Sequence, residues 1–112
     1  MSTYVITLNI LDPTQSSPGF VVGLGRLGTP LEVKVYAVNA PSGGPLQLNI
    51  TIDGVTLLAA PISIASGLNG PVTSTNFVGS PPPLNYNSLV LPVVVSGNGA
   101  TLVTLELVVQ TP

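Results

Sequence analysis

Apolar and polar residues alternate with a period of two along most of this chain. In residues 4–11, Tyr4, Ile6, Leu8 and Ile10 fall on one face, and Val5, Thr7, Asn9 and Leu11 on the other. Leu31, Val33, Val35 and Ala37 alternate with Glu32, Lys34, Tyr36 and Val38. From Leu46 to Asp53 the alternation has no fault: Leu46, Leu48, Ile50 and Ile52 against Gln47, Asn49, Thr51 and Asp53. Successive side chains of a strand point to opposite faces of its sheet, so this period predicts strands with one buried face. Further strands are expected at 20–24, 62–65, 72–78, 89–95 and 101–110.

The breaks between runs carry turn chemistry. Asp53-Gly54 separates two strand-like runs and predicts a two-residue type I′ hairpin, because both turn positions need positive φ. The stretch Gly97-Asn98-Gly99 predicts a longer, looser turn closing a last hairpin between 89–95 and 101–110. Pro92 interrupts a valine- and leucine-rich run. It lacks the N–H that a ladder needs, which predicts a kinked edge strand there. Twelve prolines and twelve glycines leave no room for a long helix. The expectation is an all-β fold: one antiparallel β-sandwich, jelly-roll or Ig-like, of about eight or nine short strands. Its parts are an N-terminal strand at 1–11, a linker at 12–19 and the sandwich core at 20–112.

Composition changes the picture at the surface. Only 5% of the residues are charged, against about 25% in an ordinary soluble domain. The apolar share of 45% is ordinary, so Ser, Thr, Asn, Gly and Pro have taken the places of the charges. Arg26 and Lys34 are the two basic residues. They cannot form a phosphate-binding footprint, so no nucleic-acid partner is expected. The apolar runs are strand-length, short of the ~20 residues of a spanning helix, and no membrane insertion is expected despite a mean hydropathy of +0.61. The N-terminus has no basic segment followed by a long apolar one, so an export route is not evident.

Cysteine and histidine are absent. That excludes disulfides, thiolate and Ser-His nucleophiles, and His- or Cys-held metals. Asp12 precedes a proline, Asp53 occupies a turn, and Glu32 and Glu106 lie on polar strand faces. They read as turn formers and solvated residues. No catalytic, cofactor-binding or metal-binding residue is expected, no cofactor and no enzymatic activity. Gly23, Gly25 and Gly28 fit G-x-G-x-x-G, but a strand rather than a helix follows, so they are expected to shape a turn or bulge. Asn49-Ile50-Thr51 is a glycosylation sequon. Asn49 falls on the polar face of its strand, where exposure is expected, and it is a candidate glycosylation site.

The scarcity of charge bears on association. Lys and Glu on strand edges guard against strand addition, and this chain has almost none to spend. Residues 4–11 precede an eight-residue stretch with no core pattern, "DPTQSSPG", which extended would reach roughly 26 Å. The strand can complete its own sheet or cross to a neighbour's, and both remain open. "VITLNIL" followed by "DPTQSSPG", with the Thr/Val-rich stretch at the C-terminal side, resembles donor-strand-complemented filament subunits: archaeal threads and bundling pili, or bacterial endospore appendages, whose subunits carry cysteines that this chain lacks. The resemblance is one of architecture over the whole chain, without a diagnostic motif. It implies a structural, self-assembling subunit of an extracellular, cell-surface or spore-surface filament, with copies of itself as partner and Tyr4, Ile6, Leu8 and Ile10 as the donated contacts. The composition also resembles trimeric jelly-roll heads of exosporium collagen-like proteins. That implies the alternative of a closed homo-oligomer or a ligand-binding sandwich.

Overall fold

The alternating runs become strands, and the apolar half of each alternation becomes the core. A computed structural model describes residues 2–10, 20–22 (as backbone) and 27–112. Among these, nine strands and no helix occur: β1 Thr3–Ile10, β2 Phe20–Val22, β3 Thr29–Asn39, β4 Leu46–Ile52, β5 Val55–Thr56, β6 Ile62–Ile64, β7 Val72–Ser74, β8 Ser88–Ser96 and β9 Thr101–Gln110. They form two sheets. Sheet A has the order β1-β9-β3-β7, and sheet B the order β2-β8-β4-β5, with β6 also on β4. The expected linker 12–19, Leu11, and the stretch Gly23 to Arg26 lie outside the described residues.

All pairings are antiparallel, and they are nested. β1 pairs β9, β2 pairs β8, β3 pairs β7, and β4 pairs both β5 and β6. The chain is thus one long hairpin that has been rolled up, so that β9 also meets β3 and β8 also meets β4. This is jelly-roll connectivity rather than the Ig-like arrangement. β5 and β6 together form the return strand opposite β4, interrupted at residues 57–61. That gives the eight-strand jelly roll.

Between the sheets lies a core made of aliphatic side chains. On β9, Val103, Leu105, Leu107 and Val109 are buried, as are Val33, Val35 and Ala37 on β3 and Leu46, Leu48, Ile50 and Ile52 on β4. Each fully buried Leu, Ile or Val contributes about 1.5–3 kcal/mol relative to exposure. Tyr4, Ile6, Val72, Phe77 and Val94 pack against this core from its margins.

One turn matches the expectation from its residues and another departs from it. Asp53 and Gly54 have φ of 52° and 82°, and they join Ile52 to its ladder partner Val55 as a two-residue hairpin. The expected last hairpin needs correction. Asn98 and Gly99 also have positive φ, 45° and 77°, and Ala100 N–H donates to Gly97 O at 3.1 Å, so the turn is tight rather than loose. Yet β8 and β9 do not pair. They lie in opposite sheets, and the turn carries the chain from sheet B to sheet A.

Pro92 is likewise not on an edge strand, because β8 is an inner strand of sheet B. The proline is tolerated for a local reason. Among the described residues, β2 pairs with Ser88 to Val90. Ile50 accepts from Leu57 N–H, so its backbone groups face β5, and its pair with Pro92 is a non-hydrogen-bonded one. The Pro92 nitrogen therefore faces away from β4, and no bond of the β4–β8 ladder is lost.

Candidate functional site

The residues expected at a subunit contact all lie on β1. Tyr4, Ile6, Leu8 and Ile10 face the interior, with Leu8 and Ile10 fully buried and Tyr4 and Ile6 half-buried. In this structure β1 pairs along its whole length with β9 of its own chain, from Thr3 opposite Gln110 to Ile10 opposite Val103. Its start is clasped to the other end of the chain: Thr111 N–H and Oγ1 both donate to Ser2 O, at 3.0 and 2.9 Å.

β1 is also the long edge of the molecule. Among the described residues, its eight residues have a partner on one side only, whereas the other edge elements, β7, β2, β5 and β6, are two or three residues long. Short edges offer little to a stray strand, and charged or proline-bearing ones repel it. β1 has neither protection: Thr3–Ile10 contains no charge and no proline.

The two outer faces differ. On sheet A, Lys34 Nζ lies 3.5 Å from Glu32 Oε1, and Lys34 stands opposite Glu106 in the ladder, with Thr7 on the far side of Glu106. The outer row of β9, Thr104, Glu106, Val108 and Gln110, is half-buried because β1 and β3 wall it on both sides. On sheet B, Leu89, Leu91, Val93 and Val95 run along the outside of β8, three of them exposed. Thr51 and Asn49 stand beside Leu91 and Val93. Among the described residues the only acid near this face is Asp53, at its end. There Asp53 Oδ1 accepts from Leu89 N–H at 2.9 Å and Oδ2 from Ser88 Oγ at 2.8 Å, fastening the β4–β5 turn to β8.

Asn49 is not exposed, contrary to the expectation from its strand face. It retains 8% of its accessible surface. Its Oδ1 accepts from Leu58 N–H at 3.1 Å and Ile50 N–H at 2.8 Å, and its Nδ2 donates to Leu58 O at 3.1 Å. The return strand breaks at this point, and the amide side chain supplies the bonds that a ladder neighbour would have made. The nitrogen to which a glycan would attach is thus committed in the folded chain.

Gly28 is a point of close approach. It exchanges backbone bonds with Leu84, N–H to O at 3.1 Å and back at 2.9 Å, and a Cβ there would collide with the Val109 side chain and Gln110 O. An open depression of about 330 Å³ is lined by Ile64, Leu68, Asn69, Pro71 and Val72. The Asn69 amide nitrogen there is already bound to Ala37 O and Val38 O, which ties this loop to the end of β3. Among the described residues, no three of His, Cys, Asp and Glu gather, and no helix is long and apolar enough to cross a membrane.

Sequence reasoning found β1 but missed the aliphatic row on β8. Leu89, Leu91, Val93 and Val95 alternate with Val90, Pro92 and Val94. Both halves are apolar, so the pattern could not say which half faces out.

No protein-family profile matches the chain, and no curated protein is similar to it. Among solved structures, the dimeric latent PorU from Porphyromonas gingivalis aligns with 97% of this chain at 18% identity and a TM-score of 0.42. The chain spans about 10% of that protein's length.

Proposed function

We propose that this chain is a structural, non-enzymatic subunit that assembles with copies of itself through β1, as part of a filament at a cell or spore surface. The observation that carries this reading is the contrast between β1 and every other described edge. Two- and three-residue edges are hard to add to, while β1 offers eight residues with neither charge nor proline. Tyr4, Ile6, Leu8 and Ile10 anchor that strand on the core. The aliphatic row of β8 supports a second, unlike contact, and two unlike contacts let an assembly grow without closing. With a single contact that closes on itself the same chain makes a closed oligomer, such as the trimeric jelly-roll head of the alternative reading.

The test is the full-length protein followed by sedimentation and negative-stain microscopy over a wide concentration range. A mass that rises with concentration, with elongated particles, is the expected result. A fixed small oligomer selects the closed form. A monomer at all concentrations, including millimolar, overturns the proposal.

A further inference from the structure

We infer that two copies join through β1 edge to edge, antiparallel, in one register centred on Ile6. This rests on the reading of β1 as the assembly element and fixes how that element is used.

Hydrogen-bond parity decides the geometry. Thr111 N–H donates to Ser2 O, and the register of β1 on β9 continues from that pair. Bonded and non-bonded pairs alternate along an antiparallel ladder, so Tyr4, Ile6, Leu8 and Ile10 direct their N–H and C=O groups to β9. The far side of β9 agrees. Ala37 N–H donates to Asn69 O, away from β9, so Val103 opposite it bonds toward β1. Thr3, Val5, Thr7 and Asn9 therefore present their N–H and C=O groups to the flank that is open among the described residues. Their side chains face solvent.

A second β1 must continue the sheet with both interiors on the same side. Side chains alternate with period two, so odd residues must meet odd residues. The register that engages all four open residues sets Thr3 against the second copy's Asn9 and Val5 against its Thr7, each pair repeated by the twofold axis. Four pairs exchanging two bonds each give about eight ladder bonds, within the range of a specific interface. Sheet A and its copy become one eight-stranded sheet. At the centre the two Ile6 side chains meet on the inner face as a non-hydrogen-bonded pair, with Cα atoms about 4.5 Å apart. In one chain Ile6 is only half-buried while Leu8 and Ile10 are fully covered, and this contact supplies the missing cover. No charge in Thr3–Ile10 meets its own copy across the axis.

The chain has no cysteine, so Ile6→Cys in the full-length protein places one thiol at the axis, within the span of a disulfide. Mild oxidation should convert most of this variant to a covalent dimer, while Tyr4→Cys, whose residue faces the second copy's Leu8, should give little. Thr7→Pro removes an N–H that faces the open flank and none that bonds β9, so it should leave a folded monomer. Suppose Ile6→Cys cross-links not to itself but to a Leu107→Cys copy, the residue opposite Ile6 in the ladder. Then β1 is exchanged between copies, which overturns this inference and leaves the proposed function standing. If neither cross-link forms while the unmodified protein assembles, β1 is not the contact and both fail.

Discussion

The two sheets of this sandwich are held together in different ways. Sheet A is built from three long strands, β1, β9 and β3, in nearly unbroken register, with one shift between Pro30 and Glu32. The side-chain hydrogen bonds between its strands, Asn39 to Thr101 and Thr104 to Asn9, are exposed additions, and Asn69 ties a loop to the end of β3. In sheet B only β4 and β8 are long, and the return strand is broken between β5 and β6. Its gaps are closed by side chains: Asn49 across the break, Asp53 and Ser88 at the turn. The outer faces divide the other way. Sheet A carries Glu32, Lys34 and Glu106, while sheet B shows aliphatic residues along β8. A low average charge thus conceals an asymmetry. The regular sheet keeps the charges beside exposed apolar residues such as Val5, Tyr36 and Val38, and the irregular sheet uses its polar groups internally.

Removing the amide at the break should show the contrast most strongly. Asn49→Ala strands the buried Leu58 N–H and C=O, and should cost about 2–3 kcal/mol in denaturant unfolding. A loss under ~0.5 kcal/mol would mean that the break holds itself. Asp53→Ala comes next, at about 1–2 kcal/mol, because it removes two acceptor contacts to the start of β8 and places a Cβ-bearing residue without a compensating side chain at φ 52°. Asp53→Asn, which tolerates that φ and keeps one acceptor, should lose less. The smallest effect is expected on the charged face. Lys34 and Glu32 are partly exposed, 44% and 32%, and such a pair is worth between 0 and about 1 kcal/mol. Lys34→Gln should shift stability by under ~0.5 kcal/mol. A larger loss there would show that sheet A also depends on its side chains.

Much of the fold was legible because it is local. The strands, their buried faces and the Asp53-Gly54 hairpin follow from period and turn chemistry, which neighbouring residues decide among themselves. What was not legible is nonlocal. Asn98-Gly99 makes a tight turn where a looser one was expected, and whether two flanking strands pair or part depends on β1 and β3 taking both sides of β9. Pro92 looked like an edge residue, and only its non-hydrogen-bonded pairing with Ile50 shows how an inner strand accommodates it. Asn49 points away from the core as its position in the alternation says. It is buried because the chain nine residues on, at Leu58, breaks over it, and no pattern within β4 could signal that.

The clasp between Ser2 and Thr111 has a mechanical meaning. β1 and β9 run antiparallel, so the two ends of the chain emerge side by side at one pole of the molecule. A pull applied to those ends falls first on the Ser2–Thr111 bonds, then on Tyr4 with Val109, then on Ile6 with Leu107, one rung at a time. The strands peel like a zip, and no two rungs share the load. Force entering across the open flank of β1, directed along the strand, would instead shear every rung at once. The same ladder is therefore weak when drawn by its ends and strong when gripped from the side, and a load-bearing array of these molecules has to be gripped from the side.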